Sequence, residues 1–245
     1  MIYRFEELTS TNDEARADRY AEGDLVVAER QTAGRGQRGH TWLSPEGENL
    51  TFTLVVEPKF LAARDQFLIS ETAALALSDT FRRYAIETRI KWTNDIYHED
   101  RKLVGILIEH FYSGTQLRRT LIGIGININQ THFDPSLPNP VSMRQILGRT
   151  LDREAVLDTF AACFAARYEA LKQADYAAIA ADYTAQLYRL GREQRFRLPE
   201  GEEFTATIEG VEPDGVLLLR HTDGSVRGYR FKEVEFVVKS LLLEK

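Results

Sequence analysis

Apolar residues follow different rhythms along this chain, and the rhythm changes mark its elements. Residues 1–8 read as a short strand. The strand enters Thr9-Ser10-Thr11-Asn12-Asp13-Glu14, where Thr11 and Glu14 have capping-box spacing. A helix is expected to begin there and to run toward Gly23, with one of the three polar residues 10–12 as its cap. Leu25-Val26-Val27-Ala28 reads as a buried strand that delivers the chain to Gln31 and a glycine-rich loop. Residues 50–57 are rich in strand formers and stop at Pro58. Residues 65–84 have helical spacing, with Phe67, Leu68, Ala74, Leu75, Leu77 and Phe81 on the buried side.

A meander of three strands is expected next. Residues 88–92 and 95–97 flank Thr93-Asn94, and the polar stretch 98–101 reads as a turn. Residues 102–111 are nearly all apolar, which suits a central strand covered on both faces. The apolar run 117–128 contains Gly123 and Gly125, and glycines inside a strand mark close approach by a ligand or a neighbouring chain segment. Residues 130–140 are polar with three prolines, a loop of functional length. Residues 142–147 predict a helical turn, and 152–172 a strong amphipathic helix through Val156, Phe160, Cys163, Phe164, Tyr168 and Leu171. An alanine-rich helix over 176–190 ends at Gly191. From residue 194 the period switches to two, with turn signals at Pro199-Glu200-Gly201, Pro213-Asp214-Gly215 and Asp223-Gly224. That pattern predicts an all-β unit of about five strands, a partly open barrel. The expected division is therefore 1–190 and 191–245.

Composition narrows the function. The 245 residues are 43% hydrophobic and 28% charged, an ordinary globular balance. The net charge of -6 gives no global basic field for nucleic acid, so any basic loop is a local feature. Cys163 is the only cysteine, which excludes an intrachain disulfide and a thiolate metal cluster, and its apolar setting reads as a core thiol. No stretch is apolar for long enough to span a membrane, and the N-terminus lacks a signal-peptide pattern. A reducing cytoplasm is the expected location.

Chemistry is concentrated in four polar islands at strand ends or helix starts. They are Ser10-Thr11-Asn12, Gln31 with the loop Gly34-Arg35-Gly36-Gln37-Arg38-Gly39-His40-Thr41-Trp42, Lys91-Trp92-Thr93-Asn94-Asp95 with Lys102, and Gly123-Ile124-Gly125-Ile126-Asn127. Glycines let backbone amides approach a ligand, arginine forks suit carboxylate and phosphate, and Trp42 offers a face for a flat ring. The loop alone reads equally well as solvated surface charge. Gly-X-Gly-X-Asn is no dinucleotide fingerprint, because the third glycine and following helix are missing. Lys102 alone reads as a solvated charge, and Asp95 alone as a turn residue.

Taken together and in this order, the islands resemble the biotin protein ligases. The resemblance also takes in Gln31-Thr32-Ala33-Gly34, and Lys102-Leu103 with Gly105-Ile106-Leu107-Ile108-Glu109, and it extends over essentially the whole chain. It implies an α+β fold: a catalytic domain with a mixed sheet, related to class II aminoacyl-tRNA synthetases, followed by an SH3-like barrel. Some members carry an N-terminal DNA-binding winged helix. The first motif here begins at about residue 9, so the resemblance implies a monofunctional ligase. The implied reaction joins biotin and ATP into biotinyl-adenylate, then transfers biotin to a lysine of a biotin carboxyl carrier protein. The nearest relatives by fold, lipoate- or octanoyl-transferring enzymes, show an arginine-glycine-glycine-rich motif with a histidine-aspartate pair that this sequence lacks. A non-catalytic biotin or nucleotide sensor would leave Lys102 and Asp95 idle, and an RNA-binding role conflicts with the acidic total charge.

The same resemblance implies roles. Lys102, Arg35 and Arg38 would be catalytic, neutralising the carboxylate and α-phosphate together with Mg²⁺. Ser10, Thr11, Asn12, Gln31, Gly34, Arg35, Lys102 and Gly105 would bind biotin, the neutral ones suiting its uncharged ureido head. Arg38, Trp42, Asn94, Lys102 and Asn127 would bind ATP or the adenylate, with Trp42 against adenine. Asp95 would help to hold Mg²⁺. Homodimers are common in the family through the catalytic sheet. Two positions depart from the pattern: Gln37 replaces a third loop arginine, and Thr93 replaces a proline.

Overall fold

The computed structural model describes residues 1–37 and 41–238. Side-chain alternation along its main sheet explains both the core and the site. The sheet has seven strands in the order β1-β2-β3-β7-β6-β5-β4. They are β1 (Ile2–Leu8), β2 (Leu25–Gln31), β3 (Leu50–Val56), β4 (Arg89–Lys91), β5 (Asp95–His98), β6 (Arg101–Ser113) and β7 (Gln116–Ile126). β1 and β2 run parallel and every other pairing is antiparallel, so the sheet is mixed. The three-strand meander expected over residues 88–111 is present as β4 to β6, and the apolar run 117–128 as β7.

On one face, Phe52 and Leu54 of β3, Ile106 of β6, and Ile122, Ile124 and Ile126 of β7 join the main core. Helices α2 (Phe67–Arg83), α4 (Arg153–Lys172) and α5 (Tyr176–Ala185) supply the rest through Ala74, Leu77, Phe81, Phe160 and Tyr183. Burying whole apolar side chains this way contributes roughly 1.5–3 kcal/mol each. The other face carries Thr51, Thr53, Gly105, Leu107, Glu109, Gly123 and Gly125 by simple alternation. Val26, Val55 and Leu121 close a second, smaller core there with Ala15 and Tyr20.

Two helices are shorter than their sequence patterns predict. α1 spans only Thr11–Glu14 and does not reach Gly23. The chain turns after one cycle because Ala15 and Tyr20 are drawn into the second core, where Tyr20 packs edge-on against Tyr3 at 4.9 Å. Tertiary burial overrides local propensity. The expected capping box is also absent. Ser10 is the N-cap residue but makes no side-chain capping bond, and the Thr11 amide instead donates to Gln31 Oε1 at 2.8 Å. α5 stops at Ala185 rather than near 190. The next residues pair with β4: Ile90 N donates to Gln186 O and Tyr188 N to Ile90 O, both at 2.8 Å. The sheet edge satisfies groups that a longer helix would have bonded internally. The short helix α3 (Met143–Leu147) does have a capping box, formed by Ser142 and Gln145.

Residues 193–236 form a separate five-stranded antiparallel sheet, β8 (Glu193–Arg197) to β12 (Glu235–Phe236), in the order β11-β10-β9-β8-β12, with β9 (Glu203–Val211), β10 (Leu217–His221) and β11 (Val226–Tyr229). Its three expected turns lie between strands. It docks beside β4 through Gly215, whose carbonyl accepts from Trp92 Nε1 at 3.0 Å. At φ +87°, a Cβ on Gly215 would also stand 2.6 Å from Phe67, so only glycine fits.

Candidate functional site

All four polar islands end at one cavity of about 480 Å³, a size suited to a small organic ligand. Its floor is the glycine-bearing face of β6 and β7. One wall holds Ser10, Thr11, Asn12 and Gln31, and another holds Arg35, Gly36, Gln37 and Trp42. A third holds Lys91 to Asp95, Lys102 and Asn127. Of the expected site residues, Gly34 lies buried outside the lining, and Arg38 falls outside the described residues.

The floor must be glycine. A Cβ on Gly123 would come 2.9 Å from Asn12 Cγ, and one on Gly125 would come 2.5 Å from Trp42 Nε1. The strand glycines therefore let α1 and the arginine loop lie directly on the sheet. Trp42 rests across Gly105 and Gly125, held by its amide donating to Gly34 O at 2.9 Å. The buried Trp42 Nε1 has no hydrogen-bond partner among the described residues, a donor left for a ligand or solvent.

The wall built by residues 10–12 is a chain of neutral hydrogen bonds. Thr11 Oγ1 donates to Gln31 Oε1 at 3.2 Å, and Thr53 Oγ1 lies 2.9 Å from Thr11 Oγ1. Thr53 Oγ1 donates to Asn12 Oδ1 at 2.6 Å, and Asn12 Nδ2 donates to Glu109 Oε2 at 2.9 Å. Thr53 and the bonding role of Glu109 were missed from the sequence. A threonine between Phe52 and Leu54 in a buried strand was the available signal.

Cationic side chains reach the cavity at one end, and an ion-paired cluster backs the neutral wall. Lys102 Nζ is 2.8 Å from Asp95 Oδ1 and lies over the Trp42 ring at 5.9 Å. The Lys102 backbone is clamped: its amide donates to Asn139 O at 2.8 Å and its carbonyl accepts from Val141 N at 2.9 Å. Asn127 Nδ2 donates to Val141 O at 3.1 Å, which fixes that clamp. Asn94 Nδ2 donates to Ile106 O and binds its loop to β6. Lys91 Nζ stands 3.9 Å from Asp95 Oδ2 and over the Phe236 ring at 4.8 Å. Across the cavity, the Arg35 guanidinium contacts Asp13 at 2.8 Å and Glu109 at 3.1 Å. Burial pushes the Glu109 carboxyl up, but bonds from Asn12, Arg35 and Arg16 outweigh it and hold it below the usual carboxylate range.

Phe231, Val234, Glu235 and Phe236 of the second sheet also line the cavity, as do Phe133 and Leu137 to Pro140. No local signal marks these residues, because they reach the cavity only through docking of distant segments.

The arrangement offers a neutral, hydrogen-bonding end and a cationic end about a flat floor. It can hold an elongated ligand that is uncharged at one terminus and anionic at the other.

Residues 2–127 match the model of the biotin/lipoate A/B protein ligase family. A biotin–[acetyl-CoA-carboxylase] ligase of Paracoccus denitrificans is 35% identical over 208 residues, covering 81% of this chain and 85% of that protein. A bifunctional ligase/repressor of Bacillus subtilis is 32% identical over 211 residues, covering 85% of this chain; the matched part spans 65% of the Bacillus protein. A solved biotin protein ligase of Aquifex aeolicus, in complex with biotin and ATP, has a TM-score of 0.83 at 25% identity, covering 97% of this chain and 99% of that one. With half of its length matching the family model and all four polar islands inside the matched residues, this chain belongs to the biotin/lipoate A/B protein ligase family.

Proposed function

We propose that the chain is an ATP-dependent biotin protein ligase. It forms biotinyl-5′-AMP from biotin and ATP, then transfers biotin to a lysine of a biotin carboxyl carrier protein such as that of acetyl-CoA carboxylase. The observation that carries this reading is the convergence of the four islands on one cavity with a neutral end and a cationic end.

The neutral network of Thr11, Gln31, Asn12 and Thr53, with Ser10 beside it, suits the ureido ring of biotin, which both donates and accepts hydrogen bonds. A charged group at that end would lose hydration without repayment. The valerate carboxylate then extends over Gly105 toward Lys102. Attack on the α-phosphate brings two anionic groups together, and Lys102 offers a point charge where that charge grows. The ion pair with Asp95 aims the ammonium group, and the backbone clamp at Asn139 and Val141 fixes its origin. Arg35, with Arg38, serves the same charge from the loop. Trp42 packs beside the adenine, and Asn94 and Asn127 shape the nucleotide end of the cavity.

Magnesium fits this site only as a guest of the nucleotide. Asp95 is a carboxylate at the cavity, and no cluster of three metal-ligating side chains occurs among the described residues. Mg²⁺ is often held by one or two carboxylates plus phosphates, so Asp95 with the ATP phosphates would suffice. When bound, the ion would add positive charge at the phosphates.

The finer architecture follows the same reading. Residues 1–190 form a catalytic domain of the class II aminoacyl-tRNA synthetase type, and 191–245 an SH3-like unit. A homodimer through the catalytic sheet and a cytoplasmic location complete the proposal; no described helix is long and apolar enough to cross a membrane. The test is ATP–pyrophosphate exchange with biotin or lipoate as the acid. Exchange with biotin alone supports the reading, whereas exchange only with lipoate would replace it.

A further inference from the structure

Glu109 lies on β6 two residues beyond Leu107, on the cavity face of the sheet but outside the cavity lining. Its link to the cavity runs through Asn12 and Arg35, both of which line it. Its side chain is 22% exposed and receives donors from two separate segments. Asn12 Nδ2 of α1 donates to Oε2 at 2.9 Å. Arg35 of the loop donates from Nη1 to Oε1 at 3.3 Å and from Nη2 to Oε2 at 3.1 Å, a two-pronged contact. Arg16, just past α1, donates to Oε1 at 2.8 Å. Asp13 closes a ring of alternating charge, 2.8 Å from Arg35 and 3.6 Å from Arg16.

Both segments gathered by this carboxylate are walls of the proposed active site. Asn12 passes the link on to Thr53, Thr11 and Gln31, while Arg35 begins the loop that lays Trp42 on Gly125. We propose that Glu109 is a positioning residue that clasps the arginine loop to the biotin-binding wall, so that one carboxylate sets both Asn12 and Arg35. The proposal rests on the ligase reading for its kinetic consequences, but the clasp itself is a property of the ligand-free chain.

The isosteric Glu109→Gln change removes the charge and replaces one acceptor oxygen with a donor, so it cannot receive both prongs of Arg35. Two separable losses are expected. Misplaced Asn12 should raise KM for biotin about tenfold, and misplaced Arg35 should lower kcat for pyrophosphate exchange about tenfold. Each corresponds to about 1.4 kcal/mol. Because the effects pass through different partners, they should separate in double variants. In an Arg35→Ala background, Glu109→Gln should leave kcat unchanged while still raising KM. In an Asn12→Ala background, it should leave KM unchanged. Glu109→Asp, which keeps the charge, should recover part of both losses.

Hydrogen exchange on the ligand-free proteins supplies an independent reading. Amides of residues 32–37 should exchange faster in Glu109→Gln, with the core of α2 unchanged. Kinetic parameters close to wild type, or fully additive double variants, would overturn the proposal. If the wild type shows no exchange reaction with biotin, the ligase reading fails. The clasp is then judged by hydrogen exchange alone, and equal loop protection in wild type and Glu109→Gln would sink it. Should Glu109→Gln fail to fold, Glu109→Asp provides the same comparison, with intermediate loop protection and intermediate KM expected and wild-type values counting against the clasp.

Discussion

Gly125→Ala tests whether the floor of the site has to be bare. The added methyl would stand 2.5 Å from Trp42 Nε1 and from Cζ2. Comfortable heavy-atom contacts lie at roughly 3.5–4.0 Å, so the indole must retreat by about 1 Å or more. β7 cannot give way instead, because Gly125 is paired with Thr51 on one side and Gly105 on the other. The loop is the softer partner: Trp42 is only half-buried and its neighbours Thr41 and Leu43 are exposed. The methyl should therefore cost stability at the lower end of the roughly 1–3 kcal/mol range for overpacking. Function should suffer more, since a shift of about 1 Å in a positioning group can cost about 100-fold in rate. The expected outcome is a pyrophosphate-exchange kcat/KM for ATP reduced by one to two orders of magnitude, with only a few degrees lost in Tm. Tryptophan emission gives a second readout, because Trp42 and Trp92 are the only tryptophans and Trp92 is buried. Displacing Trp42 toward water should red-shift the emission. Unchanged KM for ATP together with unchanged emission would show that Trp42 does not depend on the bare floor, and the reading of these glycines would be wrong.

Three further outcomes are expected. Lys102→Ala should lower pyrophosphate exchange by roughly 100-fold or more while biotin affinity, measured by calorimetry, stays nearly intact, since its contact strengthens as charge develops; near-normal exchange would refute the assignment. Gln37→Arg should slow release of biotinyl-adenylate and reduce labelling of bystander lysines. A charge-assisted bond adds roughly 1.5–3 kcal/mol and each 1.4 kcal/mol is about tenfold, so identical release after dilution would reduce Gln37 to a spacer in the cavity wall. Glu71→Gln should raise stability at alkaline pH. Burial pushes the Glu71 carboxyl up to about 8 from 4.5, and Oε2 has no hydrogen-bond partner among the described residues. Between those values the folded state holds a proton that the unfolded chain has lost, so wild-type stability falls as pH rises, by at most about 1.4 kcal/mol per pH unit. Urea denaturation from pH 5 to 9 should show that slope in the wild type and a flatter one in the variant; parallel curves would exclude Glu71 as its source.

The sequence by itself determined the elements with strong periodicity and the residue types of the site. The runs at 50–57, 102–111 and 117–128 became β3, β6 and β7, and the helical spacing at 65–84 and 152–172 became α2 and α4. These patterns are legible because alternation or a three- to four-residue repeat fixes which side chains share a face before any partner is known. The chemistry of the islands was legible only through the resemblance that their order along the chain carries, because each island alone also reads as solvated charge, a helix cap or a turn. Tertiary structure alone decided where α1 and α5 stop and which groups meet. α1 ends after Glu14 because Tyr20 finds a second core across the sheet, and α5 ends at Ala185 because residues 186–188 pair with β4. The Gln31 amide oxygen, rather than a neighbouring hydroxyl, receives the Thr11 amide. Glu109 meets Arg35 across 74 residues of chain, and Phe236 reaches Lys91 across more than a hundred. Such contacts depend on strand order and docking, which are set by burial summed over the whole molecule and leave no mark in any short window of sequence.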